Sequence, residues 1–194
     1  MKQFVILCVF AFSFVPAFEA AGLFQLDSIK TSFLPGRCPE PARLPQPLDF
    51  ARYLGEWYEI KSTKPIFENG LRCIKANYFV DTYPVIFVNN SGVDLANNTI
   101  FSLGAAAPTQ QDNVLEVKFF KYSPYAQYWV VDTDYDNYAL VVSCNNIFPF
   151  FNPRDAWILS RKPTLDDDTV KNLVAKLDSV GIKDTEFLDT VQNC

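Results

Sequence analysis

Four widely spaced cysteines, a complete lack of histidine, and a Trp57 and Arg161 far apart in the chain bear most directly on what chemistry this 194-residue sequence could do. Cys38, Cys73, Cys144 and Cys194 stand too far apart for a zinc site, whose ligands arrive in close pairs. As thiols they could supply a nucleophile or join as disulfides. An even set in an exported chain favours two disulfides, and the residues alone leave all three pairings open. Once every thiol has a partner, none is left for covalent catalysis, so an enzyme is not expected. The absent histidine removes imidazole acid–base chemistry, a histidine-ligated haem and ordinary histidine zinc sites.

The fifth cysteine, Cys8, falls within residues 1–20, which read as a secretory signal. Lys2 gives the positive start, Phe4 to Phe18 the apolar run, and Ala20 or Ala21 a small residue for cleavage. The run is short for a membrane span, and no second long apolar segment follows. The expectation is a secreted, extracellular protein, with residues 21–194 as its single domain. A net charge of -5 argues against nucleic acid or an anionic membrane surface as an electrostatic partner.

The elements that must position these residues are mostly strands. Residues 21–54 form an arm rich in proline (Pro35, Pro39, Pro41, Pro45, Pro47), expected to wrap the domain rather than join its ladder. Strand patterns follow at about 54–62, 73–81, 85–90, 98–104, 113–121, 126–134, 137–144 and 155–161. Turn residues such as Glu68-Asn69-Gly70 and Ser91-Gly92 separate them, which favours an antiparallel meander. After Pro163 the apolar period lengthens: Val170, Leu173, Val174 and Leu177 mark one amphipathic helix, begun by Thr164 and three aspartates and ended by Gly181. The fold class is therefore all-β: an eight-stranded antiparallel up-and-down barrel with one C-terminal helix packed outside.

In such a barrel the first strand starts, the sixth and seventh turn, and the eighth ends at the same end. Gly55 and Trp57, then Thr133-Asp134-Tyr135, then Arg161 meet there. A guanidinium stacked on the Trp57 face would seal that end by a cation–π contact, while Asp134 accepts hydrogen bonds from its own turn.

These segments, with Gly36-Arg37-Cys38-Pro39, Tyr53 to Ile60, Phe67-Glu68-Asn69-Gly70, Cys73 to Tyr78, Tyr128-Trp129, Asp134 to Val141 and Ala156 to Arg161, resemble the lipocalins. Within that family the resemblance is to the apolipoprotein D-like branch, with insect bilin-binding and crustacyanin-type carotenoid carriers as near relatives. It implies a carrier of a small hydrophobic ligand: a lipid, sterol or retinoid, or a pigment such as a bilin or carotenoid. No cofactor is required, though a chromophore could be the cargo. It also implies disulfides Cys38–Cys144 and Cys73–Cys194, and cavity positions at Tyr78, Asn90 and Trp157. Side-chain alternation adds Leu159 and Glu59 to the inward set, and Val88 with Asn90. Asn89-Asn90-Ser91 and Asn97-Asn98-Thr99 are glycosylation acceptors, and parity turns Asn89 outward when Asn90 faces in. Apolar loop residues Phe67, Phe148, Phe150 and Phe151 belong to the open end. They could touch a membrane, a lipoprotein or a subunit, or cover the ligand as a lid. The alternative function is an extracellular partner-binding or inhibitory protein acting through those loops.

Overall fold

The computed structural model describes residues 33–41, 43–81, 85–119, 124–146, 151–183 and 187–194, and for residues 33–35 and 151 the backbone alone. The proposed leader 1–20, Phe148 and Phe150 lie outside these residues. In chain order the strands are β1 (Phe33–Pro35), β2 (Gly55–Ser62), β3 (Arg72–Val80), β4 (Ile86–Val93), β5 (Thr99–Pro108), β6 (Val114–Lys118), β7 (Ala126–Thr133), β8 (Tyr138–Cys144), β9 (Phe151–Ser160) and β10 (Leu188–Asp189). A short helix α1 (Phe50–Tyr53) precedes β2, and α2 (Asp167–Leu177) follows β9. From β2 to β9 each strand pairs antiparallel with the next, and β9 pairs back onto β2, so these eight close a barrel.

Strand β8 shows why the barrel has two cores. Its Ala139 and Val141 face the interior, while Leu140 and Val142 face out. Both faces are fully covered, so the strand reads as a near-continuous apolar run. Outside, Leu173 and Leu177 of α2 cover Trp129, Leu140, Val142 and Ile158. Inside, Trp57, Tyr78, Val88, Leu115, Val130 and Leu159 pack with Tyr53 from α1.

Several boundaries differ from the sequence expectation. Strand β5 runs on through Ala105 to Pro108, because Ala106 fills a tight inward position and Pro108 ends the strand. Strand β9 starts at Phe151, and its first residues pair with β1. The proline-rich arm thus does join the ladder briefly, at an edge position where a missing amide is tolerated. Strand β6 stops at Lys118, and Phe119 packs over Gly104, where a Cβ would stand 2.8 Å from the ring. The N-cap of α2 is Asp166, whose carboxylate accepts from the Thr169 amide at 2.8 Å, not Thr164.

Between β2 and β3 the wall parts. The two pair only from Gly55–Tyr58 against Lys75–Tyr78. Beyond that the C-terminal segment enters: β10 pairs with Lys61 and Ser62, Thr190 N donates to Ile60 O, and Cys73 N donates to Val191 O. The Gln192 amide donates to Glu59 O and Ile74 O, both at 2.8 Å, and so spans the gap.

Candidate functional site

At one end of the barrel the three separated motifs converge. The Arg161 guanidinium lies 3.6 Å from the centre of the Trp57 ring. Its Nη1 donates to Glu56 O at 2.8 Å, its Nη2 to Arg52 O and Leu54 O at 2.8 and 2.9 Å, and its Nε to Tyr135 O at 3.0 Å. Gly55 takes φ +93, a conformation that favours glycine, and lies against Arg161 Nη1. Tyr135 also has positive φ, held by Thr133 Oγ1, which accepts from its amide and donates to Tyr138 O. Asp134 Oδ1 accepts from the amides of Asp136, Asn137 and Tyr138, while Oδ2 accepts from the Asn137 side chain. Burial pushes this carboxyl up, but those donors outweigh it and hold it below its ordinary value. The arrangement makes a closed floor.

Immediately above the floor three phenols form a chain. Tyr128 Oη lies 2.8 Å from Tyr53 Oη and 2.7 Å from Tyr78 Oη. Burial raises all three, Tyr78 to about 12, so they stay neutral hydrogen-bonding groups. Three hydroxyls with two mutual bonds leave one O–H hydrogen uncommitted within the chain. Tyr53 and Tyr128 were not identified from the sequence; the alternation around Trp129, which faces out, turns Tyr128 inward and could have found it.

Higher on the wall, pairing register places Glu59 opposite Leu159 and Ser62 opposite Trp157, so all four face inward. Glu59 is committed to the wall: its carboxylate meets Ser62 Oγ at 2.9 Å, Lys64 Nζ at 3.4 Å and the Thr190 hydroxyl. Glu68, from the turn Ile66–Glu68, reaches the same cluster, accepting from Trp157 Nε1 at 2.9 Å and lying 3.3 Å from Ser62 Oγ. Burial, reinforced by the nearby Glu59 charge, pushes Glu68 up to about 9. Across the interior, Asn90 lies opposite Ala76 and Ser102 on the inward face, two residues from Val88.

The inward residues, Phe119 and Tyr128 among them although not expected from the sequence, differ in exposure. Val88, Leu159 and Tyr78 are covered by neighbours, whereas Asn90, Trp157, Phe119 and Tyr128 keep accessible surface. Phe67 is 63% exposed at the open end; Phe151 begins β9 and only its backbone is described. The structure joins Cys38 to Cys144 and Cys73 to Cys194. No group of metal-ligating side chains occurs among the described residues, and no described helix is long and apolar enough to cross a membrane. Two surface clefts, of about 440 and 620 Å³, lie beside the proline-rich arm and beside Ser160; neither includes Tyr78, Asn90 or Trp157.

Residues 48–192 match the lipocalin-like domain family. Apolipoprotein D of Mus musculus is 37% identical over 184 residues, covering 90% of this chain and 92% of its own. Among solved structures, lobster apocrustacyanin A1 superposes with a TM-score of 0.72 at 24% identity, over 84% of this chain and 92% of that one. Insecticyanin from Manduca sexta does so with 0.69 at 26%, over 82% and 88%. With its barrel closed and sealed at one end, the chain belongs to the lipocalin family.

Proposed function

We propose that the protein is a secreted carrier that holds one small hydrophobic ligand in the barrel interior. The observation that carries this reading is the distribution of exposure among inward residues. Asn90, Phe119, Tyr128 and Trp157 keep accessible surface, while Val88, Leu159 and Tyr78 beside them are covered. An eight-stranded barrel has room for one such molecule. Apolar wall area supplies affinity, and a few polar atoms set orientation. The Asn90 amide and the spare phenol hydrogen of the tyrosine chain are the orienting groups, and Trp157 offers a flat face to a ring. A lipid, sterol or retinoid suits this lining, as does a bilin or carotenoid.

Mass spectrometry of the small molecules that co-purify from the native source, with the absorbance of the pure protein, identifies the cargo class. Titration with that molecule should quench tryptophan fluorescence. Trp157→Phe should remove much of the change, and Asn90→Leu should weaken ligands that accept from the amide by about 1–3 kcal/mol. Unchanged affinity in both folded variants would place the ligand elsewhere. A second reading, partner binding through the open-end loops, is favoured by Ile66, Phe67 and Leu95, which are 74%, 63% and 89% exposed. Loss of a partner on Ile66→Ser/Phe67→Ser, with ligand binding intact, would support it.

A further inference from the structure

The outer face of β3, β4 and β5 carries an apolar strip that nothing in the described structure covers. Phe79 and Phe87 lie opposite one another with rings stacked at 5.6 Å, next to Asn77 and Asn89, which are themselves opposite. Leu103 stands directly across from Asn89, and Phe101 across from Ser91. Phe79, Leu103 and Phe101 are 38%, 57% and 66% exposed. From Asn77 to Phe79, Phe87 to Ser91 and Phe101 to Ala105, the outward positions carry no charge. Exposed apolar surface of this kind calls for a cover.

Asn89 lies within that strip and begins the acceptor sequence Asn89-Asn90-Ser91. Its side chain faces out, is partly exposed, and makes no hydrogen bond among the described residues. Asn97, the other acceptor, lies in the β4–β5 turn with positive φ, and its Oδ1 accepts from Arg72 Nη2 at 2.5 Å. We propose that an N-linked glycan on Asn89 is the cover of the β3–β5 face and keeps the protein from self-associating there. In the transfer, Asn89 Nδ2 bonds to the anomeric carbon of a sugar activated as a lipid pyrophosphate. The carbon–oxygen bond to that pyrophosphate breaks, the lipid pyrophosphate leaves, and one amide proton is released. A branched sugar is bulky and solubilising, so its base would shield Leu103, Phe87 and Phe101 from a second copy.

The inference rests on export of the chain, since the donor is met only on the secretory route. The full chain is expressed in a secreting eukaryotic host and recovered from the medium. Peptide mass spectrometry after enzymatic deglycosylation in heavy water should find Asn89 occupied. Light scattering across a concentration series should show the parent monomeric, and Asn89→Gln and Ser91→Ala both self-associating at several-fold lower concentration. Adding Phe101→Ser and Leu103→Ser to Asn89→Gln should restore the monomer, which separates loss of a cover from misfolding. Asn97→Gln should behave like the parent. Secreted protein with bare Asn89, or glycan-free variants that stay monomeric, would overturn the inference while leaving the carrier reading intact. Failure of the chain to reach the medium would overturn the export reading and this one with it.

Discussion

Trp157 Nε1 donates to Glu68 Oε1 across 2.9 Å, tying β9 to the turn that leads out of the barrel mouth. Ser62 Oγ lies between the two carboxyls, 2.9 Å from Glu59 and 3.3 Å from Glu68, and also accepts from the Lys64 amide. A hydroxyl has one hydrogen. Given to Glu59, it leaves Ser62 to accept from a protonated Glu68.

This predicts an inverted pH dependence for Glu68. Its folded pKa of about 9 exceeds the ordinary 4.5, so between those values the unfolded chain releases a proton that the folded chain keeps. Stability contributed here falls as pH rises through that window, by up to about 1.4 kcal/mol per pH unit, and is unaffected below it. Glu68→Gln keeps a donor for Ser62 and an acceptor for Trp157. Urea midpoints should show it gaining on the parent with every step toward alkaline pH. A gap that stays constant across the window would sink the idea.

Arg161→Lys should lower stability by roughly 2–4 kcal/mol, because lysine keeps the charge but loses the planar stack on Trp57 and most of the donors to the surrounding backbone carbonyls. Equilibrium unfolding measures this. Ligand preference should not move, since the guanidinium lies beneath the floor; a shift in selectivity with full stability would place Arg161 in the site.

Among the three phenols, the middle one matters most. Tyr128→Phe breaks both bonds and strands two buried hydroxyls, at a cost of about 2–4 kcal/mol, whereas Tyr53→Phe breaks one and leaves the Tyr128–Tyr78 pair intact. Chemical denaturation of the two variants side by side tests the order, and equal losses would contradict the chain.

Asp134 runs the opposite way from Glu68. Its folded pKa is depressed, so its contribution is present above the unfolded value and is lost as pH falls through the folded one. Because the turn lies at the surface and water screens the carboxylate, the effect is a modest one. Asp134→Asn should remove part of the acid sensitivity of the melting temperature, and an unchanged acid limb would show that the turn is held by other contacts.

The barrel, its closed end and the outer helix were legible because each rests on local pattern: alternation, turn residues, and a change of period after Pro163. Inward parity from Arg161 held through Leu159 and Trp157, since β9 pairs with β8 without interruption there. On β2 the parity reaches Glu59 and then breaks at a bulge, which turns Lys61 outward to Asp189 and Ser62 inward. Nothing local announces that bulge. Nor could the residues alone reveal that Glu59 is tied to Thr190, because that partner arrives from the far end of the chain. The disulfide pairing was open on spacing and narrowed only by family resemblance.

The segment that bridges β2 and β3 makes one part of the barrel wall separable from the rest. It follows in chain order everything it touches, so the seam can close only after both strands are in place. It is held by backbone bonds, the Gln192 amide, the Thr190 contact with Glu59, the Lys61–Asp189 ion pair and the Cys73–Cys194 link. Cutting the Cys73–Cys194 link should therefore loosen this side of the barrel and leave the floor around Trp57 and Arg161, which holds no cysteine, as it is.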